Sequence, residues 1–364
     1  MPRLRRVSIE GPGWRRRRSG RGFVYLASDG ARLVDEDVLA RIRALAIPPA
    51  WTDVWICPHA NGHIQAAGLD DAGRRQYLYH VQWRARRDRA KHDHVLDVAR
   101  RLPRARRRAA ADLAQDGWPR TKSLALAFRL LDLAYFRAGN ETYARTNGSY
   151  GLATLRREHV RVRGGAGSPV AVHFTYPAKS GQVRDVLVED EEVAQLVATL
   201  RRRRSPGVEL LAWREGPVWR DITSADVTSY VKELLGEDAS PKDFRTWHAT
   251  VLAAQGLAAA GPPPSSDRAR RRVVTAVVRD VADALGNTPA VCRASYIDPR
   301  LVELWEREER IPVTRSQSVA ERAVLELLSG PSQAAAARAA APAERSAPGR
   351  ATSTTRPGAT AKAS

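Results

Sequence analysis

Four residues, far apart in the chain, have the types needed to open a phosphodiester bond: Arg137, Lys179, Arg245 and Tyr296. That reaction needs a nucleophile for phosphorus, cations for the non-bridging oxygens and an acid for the leaving oxygen. A tyrosine suits the first task where the product must be reversible. Its phenol, with a pKa of about 10, is only about one part in a thousand ionised at neutral pH, so nearby positive charge must assist it. Arginine suits the second task, because its fork matches phosphate oxygens in pairs. Lysine on its flexible stem suits the third when neighbouring cations favour loss of its proton. Each residue also has a plainer reading. Tyr296, in "RASYIDPR", is by itself an ordinary half-buried tyrosine. Arg137 by itself complements a helix end, and Lys179 is a solvated turn residue. Arg245 stands out more, because its helix is otherwise apolar.

The elements that must hold these residues follow from pattern. Residues 1–20 read as a basic, mobile arm. From Gly22 to about Tyr79, short strand-like runs alternate with turn signals at Asp29-Gly30, Asn61-Gly62 and Asp71-Ala72-Gly73, as in an antiparallel sheet. One helix interrupts them around Asp35 to Leu45. Long helical periodicity begins near His92, which places a domain boundary in the charged stretch Arg84 to Lys91. Leu124, Phe128, Leu131 and Tyr135 mark one helix face, with Gly139 as its end and Arg137 in its last turn. The run "VAVHFTYPAKSGQVRDVLV" breaks that texture. Alternation at Val172, Phe174 and Tyr176, and again at Val186 and Val188, predicts a hairpin with Lys179 at its tip.

Four further helices are expected. One, marked by Val227, Tyr230, Val231 and Leu234, closes at Gly236. Ser240-Pro241 opens the next, which carries Arg245. A third runs from about Asp267 to Leu285, capped by Gly286. Thr288-Pro289 then starts a short helix carrying Tyr296, and Asp298-Pro299 stops it. From Gly330 onward no large apolar residue remains, which predicts a disordered tail. The domains are therefore an arm at 1–20, a β-rich domain at 21–88, a mainly helical domain at 89–329 and a tail at 330–364.

Composition sets limits on function. The 364 residues are enough for two domains, and 43% hydrophobic content indicates globular structure. The net charge of +20 lies in arginine runs at 15–18, 106–108, 201–204 and 270–272, a field that attracts nucleic acid. A solvated arginine-rich surface is the plain alternative. No apolar stretch approaches about 18 residues, so no transmembrane helix is expected. The N-terminus lacks a signal-peptide core, and two distant cysteines form no disulfide framework, which together predict a cytoplasmic protein. Cys57, His59 and His63 lie close together without zinc spacing, and no Walker loop occurs, so neither metal nor ATP is expected.

Order and context bind the four residues into one pattern. "FRAGNETYARTNGSYGLATLRREHV" (136–160), "YPAKSGQ" (176–182), "KDFRTWHAT" (242–250) and "LGNTPAVCRASYIDPR" (285–300) resemble, in order, the two arginine boxes, lysine hairpin and tyrosine box of the type IB DNA topoisomerases. The likeness is to the compact poxvirus and bacterial form. "IPPAWTDVWICP" and "NGHIQAAGLDDAGRRQYLYH" are similar to that family's DNA-clamp domain, so the resemblance covers about Gly22 to Leu328.

The resemblance implies an α+β protein: a small antiparallel β-rich N-terminal domain, then a mainly α-helical catalytic domain with a β-hairpin, the tyrosine recombinase/topoisomerase IB fold. It implies relaxation of supercoiled double-stranded DNA by a nucleoid-associated cytoplasmic monomer with no cofactor. Tyr296 would form a 3'-phosphotyrosyl link, Arg137 and Arg245 would clamp the phosphate, and Lys179 would protonate the 5'-oxygen. Lys242 would help hold the phosphate. Asn287 departs from the histidine of poxvirus and eukaryotic members nine residues before the nucleophile. An amide can donate to a phosphate oxygen but adds no charge. Gln76, Tyr77, Tyr79 and Tyr143 match DNA-contacting positions. His248 sits where tyrosine recombinases keep a histidine after their arginine. Two rivals remain, a tyrosine recombinase and a nonenzymatic basic DNA-binding protein. The first would lack the N-terminal domain, and the second does not explain the four boxes.

Overall fold

The computed structural model describes residues 3–164 and 170–339. Its architecture is α+β. The described residues group into two compact units, divided between His248 and Ala249.

The first unit opens with β1 (Trp14–Ser19), β2 (Gly22–Leu26), α1 (Glu36–Ala44), β3 (Thr52–Ile56), β4 (Ile64–Leu69) and β5 (Arg75–Tyr79). The five strands form one antiparallel sheet in the order β2-β1-β3-β4-β5. Asp35 caps α1 by accepting from the amides of Asp37 and Val38. Ile42 on α1 packs with Val54, Ile56 and Ala66 of the sheet, ringed by Trp14, Tyr25 and Trp51. Residues 3–20, within the span expected as a free arm at 1–20, are thus tied to the domain. Alternation in the first half of β1 leaves Trp14 and Arg16 half-buried, while Arg15, Arg17 and Arg18 are exposed. Arg16 donates to the carbonyls of Ile47, Pro48 and Trp51 and lies over the Phe23 ring. Ahead of β1, Arg5 pairs with the turn at Asn61 and Gly62, and Val7 donates to His63 Nδ1.

Helix α2 (Val81–Leu113) runs without a break across the boundary expected at 84–91. The charged stretch there is the mostly exposed opening of a continuous helix. α3 (Arg120–Ala134) is buried nearly all round, from Leu124 through Leu131, instead of on one face. It ends at Ala134, five residues before Gly139. α4 (Glu141–Asn147) follows, then β6 (Val160–Arg163), β7 (Ala171–Pro177) and β8 (Val183–Glu189) in a three-stranded antiparallel sheet. The β7–β8 hairpin and its turn lie where alternation predicts. α5 (Glu191–Arg202), the β9 (Ala212–Glu215) and β10 (Val218–Asp221) hairpin, and β6 were not anticipated. α6 (Ser224–Leu235) ends at Gly236 as expected.

α7 (Pro241–Ala259) spans the division between the units. The second unit continues with α8 (Asp267–Leu285), α9 (Pro289–Ser295), α10 (Arg300–Glu306) and α11 (Gln317–Ala339). Val274, Val277, Val278, Val281 and Leu285 are the buried stripe of α8. Gly256 of α7 is packed against Val277, and Trp305 donates to the Gly261 carbonyl. Gly330, with φ 70° and ψ 169°, breaks α11, and helix resumes to Ala339. The tail expected from 330 is therefore helical at its start, because alanine-rich sequence favours helix locally. Its remainder, 340–364, lies outside the described residues. Among the described residues no helix is long and apolar enough to cross a membrane.

Candidate active site

In the first unit the site begins where α3 stops. Tyr135 caps the helix in the left-handed region, with φ 57° and ψ 32°. A non-glycine residue there costs about 1–3 kcal/mol and persists only where its surroundings hold it. Two contacts hold it, and a buried ion network backs the second. Arg245, 3% exposed within α7, donates to the Tyr135 carbonyl, and the Tyr135 ring lies 4.9 Å from the ring of His248. His248 Nε2 in turn meets Asp132 at 2.9 Å, and Asp132 takes two bonds from Arg106 at 2.7 and 2.9 Å. Burial alone would raise the Asp132 carboxyl. The bonds from His248 and Arg106 outweigh that and hold it well below the usual carboxylate range. His248 is thus built into the support of Tyr135.

The left-handed turn frees Arg137 from the helix, where the sequence pattern had put it, and makes it part of an extended segment. That segment is pinned from one side. Leu152 and Ala153 donate to the carbonyls of Arg137 and Ala138, both at 2.8 Å. A Cβ on Gly151 would lie 2.6 Å from the Gly139 nitrogen and 2.8 Å from the Arg137 carbonyl, so only glycine fits. From the other side, the Phe136 ring meets Phe174 edge-on at 5.1 Å and stacks on Tyr176 at 5.9 Å. Both partners are on β7, the strand that leads into the lysine hairpin. Lys179 is exposed on the short 3₁₀ turn Lys179–Gly181, which is closed by the Ala178 amide donating to Gln182 at 2.7 Å. Arg137, Arg245 and the hairpin therefore converge on one cluster, Tyr135, Phe136 and Tyr176. Lys242 is exposed on the first turn of α7, where the Asp243 carboxylate accepts from the amide and hydroxyl of Ser240.

In the second unit Asn287 and Tyr296 flank α9. Gly286 caps α8 in the left-handed region at φ 60°, and the Asn287 amide donates to Ala282 at 2.9 Å. Thr288 and Pro289 then start α9 as the sequence indicates. Tyr296 is half-buried at the C-terminal cap of α9, its amide bonded to the Cys292 carbonyl at 3.0 Å. Thr250 of α7 donates to the Tyr296 carbonyl and accepts from the Asp298 amide, both at 3.3 Å. Asp298 is 1% exposed and holds the Arg300 guanidinium at 2.7 Å. The break at Asp298-Pro299 is thus a fixed turn behind the phenol.

The DNA-facing candidates lie on the first unit. Tyr77 and Tyr79 are exposed on one face of β5 with rings stacked at 5.9 Å, as alternation predicts. Gln76 is on the opposite face and donates to Asp70 at 2.8 Å. Asp70 is held at about 2, first by the Arg74 amide and then by the Arg74 and Gln76 side chains. Tyr143 is 50% exposed on α4, in hydrogen-bonding range of Arg74. Of the residues considered for a metal, Cys57 is fully buried, and His63 accepts from Val7 and lies edge-on to Trp83 at 4.7 Å.

Sequence reasoning missed Tyr135 and Arg184. The left-handed cap leaves no composition signal. Arg184 was legible in principle, because it shares the phase of Val186 and Val188 and so points inward on β8.

The family model described as eukaryotic DNA topoisomerase I, catalytic core, matches residues 80–312. The chain belongs to that family, the type IB DNA topoisomerases, and is an isomerase acting on DNA. Residues 22–70 match a second model, the bacterial DNA topoisomerase IB N-terminal domain. The DNA topoisomerase 1B of Acanthamoeba polyphaga mimivirus is 27% identical over 300 residues, covering 80% of this chain and 87% of that protein.

Proposed function

We propose that this topoisomerase relaxes supercoiled duplex DNA by transient cleavage of one strand through a 3'-phosphotyrosyl intermediate at Tyr296. The Tyr296 oxygen attacks phosphorus and the 5'-oxygen leaves with a proton from Lys179. Arg137 and Arg245 neutralise the non-bridging oxygens, Asn287 donates a hydrogen bond to one of them, and Lys242 helps to hold the phosphate. The covalent link conserves the bond energy, so the broken strand swivels and the 5'-hydroxyl reseals it without ATP or a metal ion. The β-rich region, 21–88, acts as a DNA clamp, with Tyr77, Tyr79 and Tyr143 against the duplex and Gln76 beside them. The enzyme works as a monomer on chromosomal DNA in the cytoplasm.

The observation that carries this reading is the joint support of Arg137 and Arg245 by the left-handed Tyr135 turn. The turn accepts from the Arg245 guanidinium and leads into Phe136, stacked on the hairpin strand, and Arg137, which supports a shared place for both arginines beside the lysine hairpin. Preorganised cations of this kind stabilise a phosphoryl-transfer transition state at no reorganisation cost. The N-terminal match at 22–70 favours a topoisomerase over a recombinase. The test is relaxation of a supercoiled plasmid in EDTA without ATP. Wild type should relax it, and Tyr296→Phe should bind DNA but leave it supercoiled. Relaxation by the Tyr296→Phe protein would refute the reading.

A further inference from the structure

Strand β8 carries a charge where its pattern calls for an apolar residue. Arg184 faces inward in phase with Val186 and Val188 and is only 9% exposed. Its cross-strand neighbour on β7 is Tyr176, 4% exposed, and a side-chain hydrogen bond joins the two. Burial pushes the Tyr176 phenol up, against the opposing pull of Arg184, Arg137 and Arg245, so it is neutral and serves as a hydrogen-bond partner. The Tyr176 ring stacks on Phe136 at 26°. Phe136 lies between Tyr135, whose carbonyl holds Arg245, and Arg137. A continuous set of contacts thus runs from Arg184 through Tyr176 and Phe136 to both arginines. Lys179 sits on the turn that joins the same two strands.

A flexible lysine on an exposed turn needs its base fixed if its ammonium is to meet one oxygen. A guanidinium has a rigid fork that loses little freedom on binding, and burial excludes competing water. We propose that Arg184 and Tyr176 are positioning residues that lock the Lys179 hairpin against the segment carrying Arg137, and so aim the lysine at the leaving 5'-oxygen. The inference rests on the general-acid assignment of Lys179 above. In that step the Tyr296 oxygen bonds to phosphorus and its proton passes to solvent. The P–O5' bond breaks, its electron pair takes a proton from the Lys179 ammonium, and the products are a 5'-hydroxyl and a lysine amine.

The test uses single-turnover cleavage of two duplexes at a site first mapped with the wild-type enzyme. One has the normal phosphodiester. The other has sulfur in place of the bridging 5'-oxygen, so that a thiolate leaves without needing a proton. Tyr176→Phe keeps the ring stack and removes the polar atom, and Arg184→Met removes the fork. Both should slow cleavage of the oxygen substrate about 10- to 100-fold, part of what a general acid supplies. On the sulfur substrate both should return to the wild-type rate, as should Lys179→Ala. Arg184→Lys should fall between wild type and Arg184→Met on oxygen. Equal slowing on both substrates, or no slowing on oxygen, would overturn the positioning role while Lys179→Ala remained rescued by sulfur. Failure of sulfur to rescue Lys179→Ala would overturn the general-acid assignment and this inference with it. If Arg184→Met does not fold, Tyr176→Phe, which keeps the core volume, decides the outcome.

Discussion

At the scale of single residues, types were easier to read than tasks. The four chemical side chains stood out by order, yet the surroundings that give Arg137 its place did not. Its segment depends on Gly151, whose Cβ would meet the Arg137 carbonyl at 2.8 Å. Gly151→Ala should displace Arg137 and slow strand cleavage about 100-fold, the cost of roughly 1 Å of misplacement, with modest loss of DNA binding. Single-turnover cleavage beside a binding titration checks this. Asn287 poses the opposite case, because its backbone is fixed by the Gly286 cap whatever the side chain. Asn287→His should therefore fold normally and keep or raise the cleavage rate, and complete loss would show that the amide is placed for something a ring cannot do. The arginine runs show the limit of composition. Arg16 and Arg203 spend their forks on backbone carbonyls inside the fold, while Arg15 and Arg17 face solvent. Charge counting treats them alike.

At the scale of elements, periodicity succeeded where one face is buried and failed where none or all is. The β7–β8 hairpin, α1, α6 and α8 follow their patterns. The charged stretch that reads as a domain boundary lies inside α2, whose opening has no apolar stripe, and β1 reads as an arm, because a strand of arginines has no apolar alternation to read. α3 ends early because tertiary contacts to Arg245 and His248 stabilise a left-handed tyrosine that no local signal favours. The Arg106–Asp132–His248 bonds make that helix end sensitive to acid. Asp132 is depressed in the folded state, so its stabilisation is complete above the unfolded value, 3.8, and is lost as pH falls below it. Asp132→Asn should lose about 3–5 kcal/mol at neutral pH, the usual cost of removing one partner of a buried pair, and should show a shallower decline below about pH 4 than wild type. Denaturant unfolding at several pH values measures both effects.

At the scale of the whole molecule, the net charge of +20 and the exposed tyrosines of β5 and α4 suit a duplex partner. Affinity should fall with salt by about 0.9 log unit per log unit of salt for each phosphate neutralised. A flat response in a salt titration would contradict a phosphate-clamping mode. The central claim is narrower, that one phenol becomes joined to one end of the broken strand. It is tested most directly by denaturing the enzyme during cleavage, digesting the DNA and protein, and locating the nucleotide-bearing peptide by mass spectrometry. The account predicts a 3'-phosphate on Tyr296, in the peptide around "ASYIDPR", with a free 5'-hydroxyl on the other end. A link at Tyr135, Tyr143 or Tyr176, or one to a 5'-phosphate, would contradict it.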